Sequence, residues 1–160
     1  MTAKAPILEF DEDRTAILLP DPYRFVGKAV IPAVGVLCFF QDVLDELKAA
    51  GDLVHLGDLA SEIGKHPVYR YTKAGKPLTI FHPGVGASLS AAFLEELIAV
   101  GVTKFIICGG CGVINREIDA GHPVILTSAV RDEGTSYHYL PPSREVKPHP
   151  KAVAALEKAF

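Results

Sequence analysis

The sequence predicts an α/β protein, and two observations carry that prediction. Residues 78–112 read in order as an apolar strand, a glycine-rich loop, an amphipathic helix, a second apolar strand and a second glycine-rich loop. The simplest form of such a unit is a right-handed parallel crossover. Elsewhere, apolar runs of strand length alternate with helical patterns. The length of 160 residues suits one domain, taken here as residues 1–160, and allows burial of roughly 70% of the unfolded surface. Hydrophobic residues make up 49% and charged residues 22%, which excludes disorder along the whole chain. The net charge of −3 weighs against a nucleic-acid-binding protein, which is usually basic.

The elements follow in order. Residues 1–35 carry Pro6, Pro20, Pro22 and Pro32, which break long elements, and only residues 16–19 read as a short strand. Residues 34–40 form an apolar run of strand length. Residues 41–50 read as a helix with Val43, Leu44 and Leu47 on one face and Gly51 as its stop. Residues 53–59 and 68–72 read as strands, and Ala74-Gly-Lys-Pro77 as a turn pairing 68–72 with 78–81 in a hairpin. Residues 88–100 form a helix whose apolar face is Leu89, Phe93, Leu94, Leu97 and Ile98, with Gly101 as its stop. Strand 104–108 follows. Residues 123–130 read as a long strand, and 150–160 as a helix with Val153, Leu156 and Phe160 facing inward. The longest apolar stretch, interrupted by Pro32, is far shorter than the ~20 residues of a membrane-spanning helix. The first residues lack the apolar core of a signal peptide. Three cysteines are too sparse for a disulfide framework. The expected compartment is the cytoplasm.

Both glycine loops follow strand ends, where ligands bind in open α/β sheets. Gly84 and Gly86 let a ligand approach the backbone, and the amides of Ala87 and Ser88 can meet an anion at a helix N-terminus; the alternative is a tight turn with no ligand. A dinucleotide site fails in detail, because Leu89 stands where the fingerprint wants its third glycine and no acidic residue follows the next strand. Cys108-Gly-Gly-Cys111 has the spacing of a redox pair or half a zinc site. No helix pattern follows it and Cys38 is the only other cysteine, so packing and turn chemistry is preferred and no metal is expected. His82 and His138 are each placed to bind a hydroxyl or move a proton, or simply to cap a turn. Arg131, with Asp132 and Glu133, reads otherwise as a surface ion pair.

Taken together, Gly84-Val-Gly-Ala-Ser-Leu-Ser90, Glu95-Glu-Leu97, Gly101, Phe105-Ile-Ile-Cys-Gly-Gly-Cys-Gly112 and Ile118-Asp-Ala-Gly-His-Pro-Val-Ile125 resemble the nucleoside phosphorylase family, which includes purine nucleoside and uridine phosphorylases. Val130-Arg-Asp-Glu-Gly-Thr-Ser-Tyr-His-Tyr-Leu-Pro141 extends the likeness toward the uridine type. The resemblance covers residues 78–160 well and is weak before them. It implies a three-layer α/β/α fold around a mixed central sheet. The implied activity is that of a pentosyltransferase: phosphate attacks the anomeric carbon of a purine or pyrimidine nucleoside and the base leaves, by positioning and electrostatic stabilisation without a covalent enzyme intermediate.

By the same resemblance, Gly84, Val85, Gly86, Gly109, Gly110, Cys111, Gly112, Arg131 and His138 bind substrate, and Arg24, Gly86 and Gly110 contact phosphate. No cofactor is implied beyond phosphate as co-substrate, and the partners are nucleoside, phosphate and further copies of the chain in an oligomer built from dimers. Two departures qualify the likeness. The family's phosphate-holding arginine falls at Ile107 and its following Ser or Thr at Gly110; Pro20-Asp-Pro-Tyr-Arg24 only approximates the N-terminal phosphate motif. Losing a guanidinium removes strong anion binding, so a nucleosidase that uses water is the rival reading, and a non-catalytic nucleoside-binding remnant the third. The family's Met-Glu-x-Glu ribose-binding segment falls beyond residue 160. The chain therefore resembles the first two-thirds of a family member, incomplete at the C-terminus.

Overall fold

The computed structural model describes residues 5–21 and 30–160. The chain divides into two compact units, one spanning Ala16–Cys111 and one formed by Met1–Thr15 with Gly112–Phe160.

The first unit holds strands β1 (Val34–Cys38), β2 (Leu53–Ser61), β3 (Gly64–Lys73), β4 (Lys76–Phe81) and β5 (Lys104–Cys108), with helices α1 (Gln41–Ala49) and α2 (Ala87–Ala99). The sheet order is β2-β3-β4-β1-β5. β2, β3 and β4 form an antiparallel meander, while β1 runs parallel to both β4 and β5. The sheet is therefore mixed. The crossover expected over residues 78–108 is present, and it passes over one intervening strand, because β1 lies between β4 and β5.

Alternate strand residues point to opposite faces, and the core divides accordingly. Leu37, Val68 and Phe81 pack with Phe93 and Leu97 of α2. Cys38, Tyr69 and Ile80 pack with Leu44 of α1. A helix on each face makes this unit a three-layer α/β/α arrangement. Both helices end as the sequence predicts. Beyond α1, Gly51 has φ of 78° and Asp52 N–H donates to the Leu47 carbonyl at 3.0 Å. Beyond α2, Gly101 has φ of 105° and Val102 N–H donates to the Leu97 carbonyl at 3.0 Å. These are the bonds of glycine-terminated helices. The β3–β4 turn places Ala74 and Gly75 at φ of 49° and 74°, as a two-residue hairpin turn requires.

The second unit contains a 3₁₀ turn at Pro6–Leu8, a short antiparallel pair of β6 (Ala129–Val130) and β7 (Glu145–Val146), a 3₁₀ turn at Thr135–His138 and helix α3 (Pro150–Ala159). His149 caps α3, its ring nitrogen Nδ1 accepting from Lys151 N–H at 3.2 Å.

Five expectations are corrected. Residues 16–19 are not a strand, and Ile17 is 99% exposed. Of 123–130 only Ala129 and Val130 are strand; the preceding residues have no ladder partner among the described residues, and apolar composition alone does not satisfy a strand's backbone groups. Phe160 is exposed at the C-terminal end of α3, and Ile98 and Val43 lie on the outer sides of their helices.

Candidate substrate-binding site

Parallel strands β4, β1 and β5 end on the same side of the sheet, and three loops meet there. Phe39 and Phe40 follow β1, residues 82–86 follow β4, and residues 109–111 follow β5. Because β1 is central, Phe39 reaches both glycine loops. Its N–H donates to the Cys108 carbonyl at 2.9 Å. Its ring meets His82 edge-on, with centroids 5.7 Å apart at 70°. A Cβ on Gly109 would lie 3.2 Å from the Phe39 Cβ, so Gly109 is glycine to admit this side chain. A Cβ on Gly110 would meet only Phe40, at an ordinary 3.6 Å. Phe39 and Phe40 are 36% and 39% exposed and were not among the residues singled out by the sequence. The signal was available: an apolar pair stands where the first turn of α1 would favour a capping Ser, Thr, Asp or Asn, and Phe40 at that cap makes no side-chain capping bond.

Beside this mouth lies a cavity of about 300 Å³. It is walled by Gln41 and Leu44 of α1, by His66 and Tyr69 of β3, and by His82, Gly84 and Val85 of the first glycine loop. Gly84 has φ of 74°, and a Cβ there would collide with the Leu89 side chain, so its absence of a side chain is a requirement of the fold. Gly86 has φ of 96° and caps α2, and a Cβ there would meet nothing within 4 Å. Of the two, Gly86 is the one that leaves open space for a ligand.

The polar groups around the cavity have defined partners. His82 Nδ1 accepts the Gly84 N–H at 3.1 Å. His66 Nε2 lies 3.0 Å from Ser61 Oγ, and its ring packs 4.7 Å from that of Phe93. The Lys65 ammonium, 79% exposed, sits 3.4 Å from Asp58, which also bonds His55 at 2.9 Å. The hydrogen bond from His55 holds the Asp58 carboxyl below its usual range, with Lys65 adding to the effect.

The cysteines form a different grouping from the Cys-x-x-Cys reading. Cys38 and Cys108 are register partners on β1 and β5; Cys111 is exposed. Burial first, then the neighbouring Cys38, pushes the Cys108 thiol up to about 11. A redox nucleophile or metal thiolate needs the opposite shift.

Gly112, Arg131 and His138 belong to the second unit. Arg131 is 5% exposed, and its guanidinium is used within its own segment. Nε donates to Ser136 Oγ at 2.9 Å; one terminal nitrogen donates to the Pro141 carbonyl and Ser143 Oγ, and the other to the carbonyls of Ser136 and Leu140. Tyr137 lies 4.2 Å over the guanidinium carbon and donates its hydroxyl to the Arg131 carbonyl. All five donors of the side chain are engaged, so Arg131 organises this loop and has no donor left for a ligand. Hydrogen bonds from Ser136 hold the Glu133 carboxyl below its usual range. His138 is exposed on the 3₁₀ turn, and Gly112 is exposed as well. Arg24 lies outside the described residues.

The sequence model described as Phosphorylase superfamily matches residues 33–160. The chain belongs to the phosphorylase superfamily. A guanosine phosphorylase from Halorubrum lacusprofundi is 34% identical over 88 residues, covering 55% of this chain and 36% of that protein. A uridine phosphorylase from Thermococcus kodakarensis is 40% identical over 89 residues, 53% of this chain and 32% of the relative. A uridine phosphorylase from Treponema pallidum is 36% identical over 95 residues, 59% of this chain and 37% of the relative. The matched part of this superfamily member thus spans about a third of the length of these relatives. The family match begins after Arg24 and includes both glycine loops. Among the described residues no helix is long and apolar enough to cross a membrane.

Proposed function

We propose that the chain cleaves the N-glycosidic bond of a nucleoside with inorganic phosphate. The observation that carries this reading is the superfamily match over residues 33–160, with relatives named guanosine and uridine phosphorylase. The cavity beside the first glycine loop lies where α/β sheets hold their ligands, outside the carboxyl ends of the strands. In the proposed reaction a phosphate oxygen forms a bond to the anomeric carbon as the bond to the base breaks. The electron pair of that bond leaves with the base, which takes up a proton. Gly86 and Gly110 let the reactants approach the backbone, and an anion is expected near residues 84–86. Neither metal nor organic cofactor takes part in this proposal. The chain acts in the cytoplasm as a homo-oligomer built from dimers.

One observation favours a second reading, hydrolysis. Residues 38–41, 82–88 and 105–111 contain no Lys or Arg, and the β5 position expected to carry arginine is Ile107, 64% exposed. A phosphate dianion at this mouth would be met by backbone amides and neutral groups, a weaker setting than a guanidinium. The test is to incubate the full chain with uridine and with guanosine, with and without phosphate, and to identify the sugar product. Phosphate-dependent ribose 1-phosphate is the expected result. Free ribose without phosphate would establish hydrolysis instead, and ligand binding with no product would leave a non-catalytic binding module.

A further inference from the structure

We propose that His82 is a sugar-binding residue, its ring held so that Nε2–H donates to a hydroxyl of an uncharged sugar in the cavity. This deepens the proposed function and rests on it.

The argument begins with the ring's two nitrogens. Nδ1 accepts the Gly84 N–H at 3.1 Å, so in the neutral ring the proton resides on Nε2. The ring is also fixed sideways by its edge-on contact with Phe39, 5.7 Å between centroids. Gly84, the residue that supplies the orienting amide, is itself pinned in a left-handed conformation with φ of 74° and packed against Leu89. Every support of the ring therefore comes from an element that the sheet positions. The ring lines the cavity of about 300 Å³, at the lower end of small-ligand sites and of a size for a sugar-bearing group.

The character of the walls selects among ligands. The cavity's ammonium, Lys65, is 79% exposed and paired with Asp58 at 3.4 Å. Gln41 donates its amide to Asp45 at 2.9 Å, and His66 is engaged with Ser61. Leu44 and Tyr69 supply apolar wall. One oriented donor, the His82 Nε2–H, on an apolar wall, with the cation already paired, matches a neutral polyol better than a free anion. The sequence leaves His82 open between hydroxyl binding, proton transfer and turn capping; the Gly84 amide behind the ring selects the first by leaving the proton on Nε2.

Two substitutions separate ligand binding from turn-holding. In His82→Asn the side-chain oxygen can still accept the Gly84 amide, but the chain is too short to supply the Nε2 donor. In His82→Gln the amide nitrogen reaches the Nε2 position, but the Gly84 acceptor is lost. Calorimetric titration of the full chain would use uridine and guanosine, with uracil and guanine as sugar-free controls, alongside thermal unfolding of each variant. The expected result is nucleoside affinity reduced about three- to tenfold in His82→Asn, the span of one neutral hydrogen bond. Free-base affinity and melting temperature should be unchanged in that variant, and His82→Gln should lie closer to wild type in nucleoside affinity. The reverse order, with His82→Asn binding nucleosides like wild type and His82→Gln impaired, would overturn the proposal and leave the nucleoside reading standing. A wild-type chain that binds neither nucleoside would overturn both.

Discussion

Replacing Gly84 by alanine should cost more than replacing Gly86, although both have positive φ and are separated by one residue. Each position carries a backbone penalty of about 1–3 kcal/mol for an L-residue, Gly84 through its φ of 74° and Gly86 through a φ of 96° with ψ of 149° that essentially only glycine adopts. At Gly86 nothing else is met, since a Cβ there has no neighbour within 4 Å. At Gly84 the new methyl enters the volume of the Leu89 side chain, and crowding of that kind adds about 1–3 kcal/mol. Gly84→Ala is therefore expected to lose about 3 kcal/mol and Gly86→Ala roughly half as much. With about 2–4 °C per kcal/mol for a chain of this size, the melting temperature should fall by roughly 10 °C and 4 °C respectively, read by circular dichroism with denaturant midpoints as a second measure. The double variant Gly84→Ala, Leu89→Ala should be less destabilised than the sum of its parts, because shortening Leu89 vacates the space that the methyl needs. Equal melting temperatures for the two glycine variants, or strict additivity in the double variant, would refute the steric argument and reduce Gly84 to a backbone requirement.

Two further outcomes follow from the geometry of the loops. Gly110→Val should reduce nucleoside affinity while the melting temperature stays within about 2 °C of wild type, because a Cβ at Gly110 meets only Phe40 at 3.6 Å and surface changes of this kind move stability little; unchanged affinity would remove the second glycine loop from the site. Arg131→Met should destabilise the second unit by about 3 kcal/mol or more, since it strands three carbonyls and two hydroxyls that now accept from the guanidinium, and hydrogen exchange should rise across residues 131–146. Protection equal to wild type there would show that the loop holds its shape without the arginine.

The legible parts of the fold were those in which a local pattern and its packing agree. The two helices of the first unit and the glycines that end them lie where apolar spacing placed them, because burial of Leu44, Phe93 and Leu97 repeats the helical period. The 74–77 turn was legible because it demands glycine. What stayed hidden depends on partners distant in sequence. The position of β1 between β4 and β5 cannot be seen in any local window, and neither can the register pairing of Cys38 with Cys108. Residues 123–128 show the converse, a strand-like run with no ladder to join among the described residues. At the site, the glycine loops were read correctly as features of strand ends. The division of labour within them was not, because Gly84 answers to Leu89, Gly109 to Phe39, and Arg131 to carbonyls five to ten residues further along the chain.

The central place of β1 also has a kinetic consequence. The β2–β3–β4 meander closes through two short turns and can form from neighbours in the chain. β1 pairs with β4 across 44 residues and with β5 across 70, and contacts that close long loops form slowly. The mouth where Phe39 joins the two glycine loops is thus assembled by the most non-local pairings in the unit. Closure of this mouth is therefore expected to lag behind formation of the meander, because it waits on the pairings that close the longest loops.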